Sequence, residues 1–340
     1  MTRPAIIVAV VLAAGLATTE AHKPITSPYT FNEHVFPILR QHCGACHVAG
    51  GVAPMSLMTH ADAVPWGESM RLELIAGHMP PWSATATPGL SARELDTLMT
   101  WASGGTPPGD DAKAPPAVTL DTAWRLGPPD VSLPLPEVTL DAETQERVAE
   151  FALAAEPRAL RALDLRPGTP AMVRSATVST RSGQMLLLWQ PGDTPRAAPG
   201  AAFILPPGDE LIVRIRYRKT WEYERKVMTD RSTIGLYVAR PALPPVERLD
   251  VTLPGGVLDR DLRVLAVTPD AVTAGVDLRL EAIRPDGRRS TLLALRPIAG
   301  WTRRYWLEAP VVLPRGTRLG VSASTVLEPR PTLTLDVVSE

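Results

Sequence analysis

The clearest pattern along the chain is an alternation of period two. In ELIVRIRYRKTW, Val213, Ile215 and Tyr217 fall on one face and Arg214, Arg216 and Arg218 on the other. LDLRLEAI and RRYWLEAPVVLP behave similarly, and the turns RPDGRR and LPRGTR separate such runs. Successive strand residues point to opposite faces, so this pattern predicts strands with one buried side. The β-rich region spans about 210 residues and reads most simply as two sandwiches in tandem, over 131–240 and 245–340. Upstream the period changes. Ser91-Ala92-Arg93-Glu94 is a capping box, Leu95, Leu98, Met99 and Ala102 form an i, i+3, i+4, i+7 stripe, and Gly104-Gly105 stops the helix. TFNEHVFPILRQHC supplies Val35, Ile38 and Leu39 to an earlier helix that Pro37 bends or delays. Residues 107–130, rich in Pro, Gly and Asp, show no sustained period and read as a linker.

Composition narrows the class. A chain of 340 residues is too long for one ordinary core, and with 45% hydrophobic and 21% charged residues each of two or three domains could bury its own. The formal charge of -1 argues against nucleic acid, whose phosphates need a basic excess. Residues 1–21, MTRPAIIVAVVLAAGLATTEA, read as a signal peptide: Arg3, an apolar run from Ala5 to Ala17, and small residues suited to cleavage before His22. The run is short for a permanent span, no later stretch could cross a bilayer, and the mature protein is expected in the periplasm. A freed His22 terminus could chelate copper, against the plainer reading of a disordered end.

An exported chain would normally pair its cysteines, yet the only two, Cys43 and Cys46, stand three positions apart, a poor staple. With His47 they form C-x-x-C-H, the arrangement that attaches a c-type heme. Thiols at i and i+3 of a helical turn face one side and can each form a thioether with a heme vinyl group, while the next imidazole is placed beneath the iron. A redox C-x-x-C pair needs no such histidine, and zinc would want two further ligands at similar spacing.

A heme that shuttles electrons needs a second axial ligand, and a methionine thioether favours the reduced iron. Met79, in AGHMPPW, stands 32 residues after His47, far enough for a helix and a loop to cross to the other heme face, and two prolines stiffen its loop. Met70 lies within an apparent helix, and Met55 is too close to reach round the ring. His78 is the competitor, since imidazole also ligates iron.

Residues 28–106 thus resemble a class I cytochrome c. The resemblance implies a small all-α domain with Cys43 and Cys46 carrying the thioethers, His47 proximal, Met79 distal, and Pro54 at the position whose carbonyl orients the proximal histidine. Trp66, Trp82 and Trp101 are expected to pack the core or the heme.

Farther on, the chain resembles the copper type II, ascorbate-dependent monooxygenases of the peptidylglycine and dopamine hydroxylase type, particularly bacterial chains in which a cytochrome with an APMSL…MPPW pattern precedes that fold. The similar stretches are WRLGPPDVSLPLP, LRPGTPAMV, and PGGVLDRDLRVLAVTPDAVTAG with the segments after it, to about residue 325. The family's copper ligands are missing: Arg174 and Ser175 stand where it has a histidine pair, Arg216 where a strand histidine belongs, and Asp270 and Val272 within the second copper motif. His78 is the last histidine, so residues 79–340 offer neither imidazole nor thiolate for copper.

The expected fold class is therefore multidomain, a small all-α cytochrome c domain followed by all-β tandem sandwiches. The expected function is single-electron transfer by one covalent heme c, without copper, on a non-catalytic scaffold that docks a redox partner, alone or in a membrane-associated complex. Arg214, Arg216, Arg218, Lys219, Arg225 and Lys226 could form a basic docking face or an ordinary solvated one. The arginines at the old copper positions are expected to meet acids or an acidic partner, and deletion of residues 118–340 to leave the heme nearly unchanged. The rival readings are a heme- or monooxygenase-type oxidoreductase and a structural subunit whose heme is only a staple.

Overall fold

The computed structural model describes residues 26–81, 89–156, 158–240, 242–269, 275–298, 300–327 and 329–340. The signal peptide, His22, Trp82, Asp270 and Val272 lie outside the described residues.

The alternating runs form antiparallel sheets. In the first sandwich one sheet orders the strands Glu146–Ala154, Glu210–Arg218, Val173–Thr180 and Met185–Trp189. The other orders Val131–Pro134, Thr233–Val238, Arg158–Arg166 and Phe203–Leu205. Val213 and Ile215 are fully buried and Tyr217 nearly so, facing Leu160, Leu236 and Phe203 in one continuous core, while the arginines between them face outward. The second sandwich pairs Glu247–Thr252, Thr332–Ser339, Leu262–Pro269 and Tyr305–Leu313 in one sheet, and Gly255–Val257, Arg318–Ala323, Leu278–Ile283 and Arg289–Leu295 in the other. Its core, centred on Val264, Leu280, Leu313 and Leu335, is separate from the first.

A buried ion pair joins the two. Arg304 donates to the carbonyls of Leu186 and Met185, both at 2.7 Å, and lies 2.8 Å from Asp336 of its own sandwich. Its guanidinium also covers the rings of Phe203 and Trp306.

The N-terminal part corrects the expected fold class. The described chain is mostly β-sandwich sheet, and no small all-α cytochrome domain precedes it. Its α-helices are short pieces, Phe36–His42, His60–Ala63, Gly67–Ile75 and Ala92–Ser103, separated by long turns and bends. The breaks have local causes: Pro37 sits in the first turn of Phe36–His42, which follows a π-turn at Phe31–Val35, and Pro65 turns the chain before Gly67–Ile75. The pieces pack on one small core through Phe31, Leu39, Leu98 and Trp101, and are tied as well to the chain that follows them. Phe31 and Asn32 donate their N–H groups to the carbonyls of Pro107 and Pro108, both at 2.9 Å, and Val118 and Leu120 pack onto the same small core.

Residues 107–130, read from sequence as a linker, are accordingly fastened at both ends. Trp124 lies over Gly235, where an added Cβ would come within 2.9 Å of the indole, and Tyr237 donates its hydroxyl to the Gly127 carbonyl at 2.9 Å. Among the described residues no helix is long and apolar enough to cross a membrane.

Candidate functional site

The helix Phe36–His42 is anchored by Val35 and Leu39, which are fully buried with Phe31, and by Ile38 at the margin of the same core. Its end delivers the C-x-x-C-H motif. The N–H groups of Cys43 and Gly44 both reach the Leu39 carbonyl at 2.8 Å, and those of Cys46 and His47 return to the Cys43 carbonyl at 3.1 and 2.9 Å. This single turn puts the two thiols and the imidazole in succession on one winding. The following loop then folds back on it. Ala53 donates to the Cys46 carbonyl at 3.2 Å and Leu57 to the His47 carbonyl at 3.0 Å. The fold-back is tight: a Cβ at Gly51 would lie 2.4 Å from the Cys46 oxygen, and one at Gly44 would lie 2.7 Å from the Arg40 oxygen and 3.3 Å from the Met58 sulfur. Met58, unremarked in the sequence, is thereby spent on packing beneath the motif, 3% exposed.

The chemistry of these side chains separates the readings of C-x-x-C. Both cysteines are unbridged and partly exposed. Burial pushes the Cys43 thiol up to about 12, with Cys46 adding to it. Cys46 is also pushed up to about 12, by burial and then by Asp193, against the opposing charges of Arg174 and Arg303. A thiol-disulfide catalyst requires the reverse, a depressed thiol pKa that supplies thiolate. Burial holds the His47 imidazole below its ordinary pKa, with the Met55 carbonyl opposing, so the ring is neutral, the form that ligates metal. Its Nδ1 is buried without a hydrogen-bond partner. A neutral ring directly following two protonated and partly exposed thiols fits a heme bonded at Cys43 and Cys46 and ligated through Nε2 of His47.

The other predicted positions are more dispersed. Pro54 lies partly buried in the fold-back loop, one residue before the carbonyl that acts on His47. Met79 is 41% exposed on the loop after the helix Gly67–Ile75, whose Leu72 and Ile75 are also exposed. Beside it His78 pairs with Glu73 at 3.0 Å on the surface. Met70 packs against the small core and Met55 is partly buried. Trp101 is fully buried, donates its indole N–H to the Pro107 carbonyl at 3.1 Å and packs on Phe31, and Trp66 borders the same cluster.

Arg174, Ser175 and Arg216, expected where a resembling family has copper ligands, are placed differently from one another. Arg216 pairs with Glu146 on the neighbouring strand at 2.6 Å, Arg214 approaches Glu150 at 3.7 Å, and Lys219 is buried against the Asp141 carbonyl. Two of these cations, Arg214 and Arg216, are thus matched by acids of the neighbouring strand. Ser175 stands opposite Arg216 in the ladder. Arg174 is bonded to backbone carbonyls, with Glu146 acting on it at longer range. The pairing shifts register between Val173 and Ser175, and this bulge aims Arg174 at the N-terminal segment, where it donates to the carbonyl of Val52. Among the described residues no three His, Cys, Asp or Glu side chains converge as a metal site.

Comparison with known proteins adds little to this geometry. No family model matches the chain, and no curated protein matches it. Among solved structures, the N-terminal tandem of CBM22 domains from Paenibacillus barcinonensis Xyn10C is 10% identical, covering 60% of this chain and 82% of that one. Its TM-score of 0.15 is too low for the likeness to bear on fold or function.

Proposed function

We propose that this chain is an exported electron-transfer protein that carries one c-type heme. Cys43 and Cys46 form the thioethers, His47 is the proximal ligand and Met79 the distal one. When bound, the heme supplies a reversible one-electron couple. The chain's own residues do the rest: the turn at Cys43–His47 would fix where the heme attaches, burial keeps His47 unprotonated, and Met79, on an exposed loop, would supply the second ligand. The proposal does not restore an all-α cytochrome domain; the motif is carried by one short helix and a fold-back loop. We read the sandwiches as a copper-free relative of the monooxygenase fold that holds the heme segment and meets a periplasmic redox partner.

The observation that carries the reading is the neutral, partly buried His47 directly following two protonated, unbridged thiols on one turn. It is tested by expressing the full chain with a c-type maturation system. The expected result is one covalent heme per chain by mass and by the pyridine hemochrome spectrum, lost when Cys43 and Cys46 are both replaced by Ala. A chain that matures without covalent heme while a control cytochrome acquires it refutes the proposal.

A further inference from the structure

Cys46 lies at a place where three separate parts of the chain meet. Its Sγ is 3.7 Å from the Pro191 carbonyl, 145 residues away in the first sandwich. The loop holding Pro191 is tied in turn to the second sandwich: Gln190 donates its amide to the carbonyls of Thr302 and Gly300 at 3.2 and 3.4 Å, and Asp193 is ion-paired with Arg303. Arg174 closes the same seam from the other side. Its guanidinium donates to three carbonyls, Val52 in the fold-back loop, Arg218 at 3.0 Å and Ala171 at 3.3 Å. The turn presenting it is itself pinned, because Thr169 donates its N–H to the buried Asp230 at 2.7 Å, and Asp230 also accepts from Ser232 and Tyr217. The remaining cavity at the seam, between Ala45, Gly51 and Val52 on one side and Arg166, Trp189 and Asp193 on the other, is about 90 Å³.

A cation with three carbonyl acceptors and no carboxylate among them stays a net positive charge in a poorly solvated place. Burial lowers the Arg174 pKa to about 10, so it remains charged at neutral pH. Positive charge beside a redox centre favours the form with one electron more, and the effect is strong where water is scarce.

We propose that Arg174 is a positioning residue of the heme site: it fixes the loop 48–57 that orients His47, and its buried charge raises the heme's midpoint potential, so that the first sandwich forms a wall of the redox centre. The inference rests on the heme reading above. The β region is then not a distant docking platform, and its removal would alter the heme.

The test uses the full chain, with and without heme, and the variants Arg174→Gln, Arg174→Lys and, as a control on an exposed cation of the same sheet, Arg214→Gln. Arg174→Gln should keep one covalent heme per chain yet raise the ferric-to-ferrous ratio at fixed potential on the order of tenfold, which is about 59 mV for one electron. Hydrogen exchange in residues 48–57 should quicken in both the heme-free and heme-loaded chains. Arg174→Lys keeps the charge but cannot span three carbonyls, so its potential should recover while exchange stays fast, and Arg214→Gln should change neither. Unchanged potential and unchanged exchange in Arg174→Gln overturn the inference even though heme is bound. If the wild-type chain carries no heme, the functional reading fails, and exchange in the heme-free chain still decides whether Arg174 clamps the loop.

Discussion

Arg304 is the place where one truncation should cost most. Its side chain and that of Asp336 are 6% and 9% exposed, and the pair lies 2.8 Å apart. Two further charge-assisted hydrogen bonds cross to the carbonyls of Met185 and Leu186 in the first sandwich. Replacing Asp336 by Ala leaves a guanidinium buried among Phe203, Trp306 and two carbonyls with no countercharge, a situation that costs about 3–5 kcal/mol. Arg304→Met fills similar space but strands Asp336, whose pKa burial already pushes upward against the pull of Arg304, and should cost a similar amount. The double variant Arg304→Met with Asp336→Leu removes both charges together, so it should cost markedly less than the two single losses added. A chain of several cores need not unfold in one step, so urea transitions should be followed by tryptophan fluorescence and far-ultraviolet circular dichroism together. Protease cleavage between the sandwiches provides a direct measure of their parting. Single variants within about 1 kcal/mol of the parent, or a double variant as damaged as the sum, would show that the pair does not hold the seam.

Further outcomes are expected elsewhere. Burial raises the Asp164 pKa to about 6, so the folded chain keeps that proton longer than the unfolded one; its contribution is fully present below about pH 4 and lost as pH rises through about 6. Asp164→Asn should erase that slope, worth roughly 3 kcal/mol at most, and a wild-type-minus-variant stability difference that stays flat across pH 4–7 would contradict the assignment. Ser91→Ala removes an N-cap whose reciprocal bonds to Glu94 measure 3.2 and 2.7 Å, and should cost about 1 kcal/mol in the N-terminal segment by hydrogen exchange. Gly235→Ala should lift Trp124 from the sandwich, read as a red shift of tryptophan emission; no shift would mean that the strap is not seated there. Metal analysis of the purified chain is expected to find no stoichiometric copper, and one tightly held ion per chain would refute the argument from the missing histidines.

The signals legible in sequence were those whose causes are local. Ser91 and Glu94 are three residues apart, and the box forms because both bonds close within a single turn. Val213, Ile215 and Tyr217 are buried because period two is a property of the strand itself. The stripe on Ala92–Ser103 was read less well: Leu95 is 37% exposed, and the buried face is Thr97, Leu98 and Trp101, turned by the large indole that has to reach Phe31. The all-α expectation failed for a related reason. Helical spacing around Val35 and Leu39 was real, but the segment stabilises only short pieces and borrows partners from Pro107, Pro108, Val118 and Leu120, which no periodicity announces. At the site, the C-x-x-C-H spacing was visible and its surroundings were not, since Pro191 and Arg174 approach it only after two sheets have formed.

Arg174 also shows how two arginines of one sheet can be placed quite differently. Arginine is no metal ligand, since guanidinium stays protonated and has no lone pair to offer a cation. Two fates were open to its charge, an acid inside the sandwich or an acidic partner outside it. A bulge between Val173 and Ser175 turns the side chain toward backbone oxygens of the N-terminal segment. Arg216, only one ladder position across from Ser175, takes the ordinary course and pairs with Glu146 at the surface, where such a bond contributes little. The difference between two arginines on adjacent strands is therefore one extra residue in the ladder. That residue couples the sandwich to the C-x-x-C-H turn, and it makes Arg174 more informative about the chain's function than the rest of the basic face.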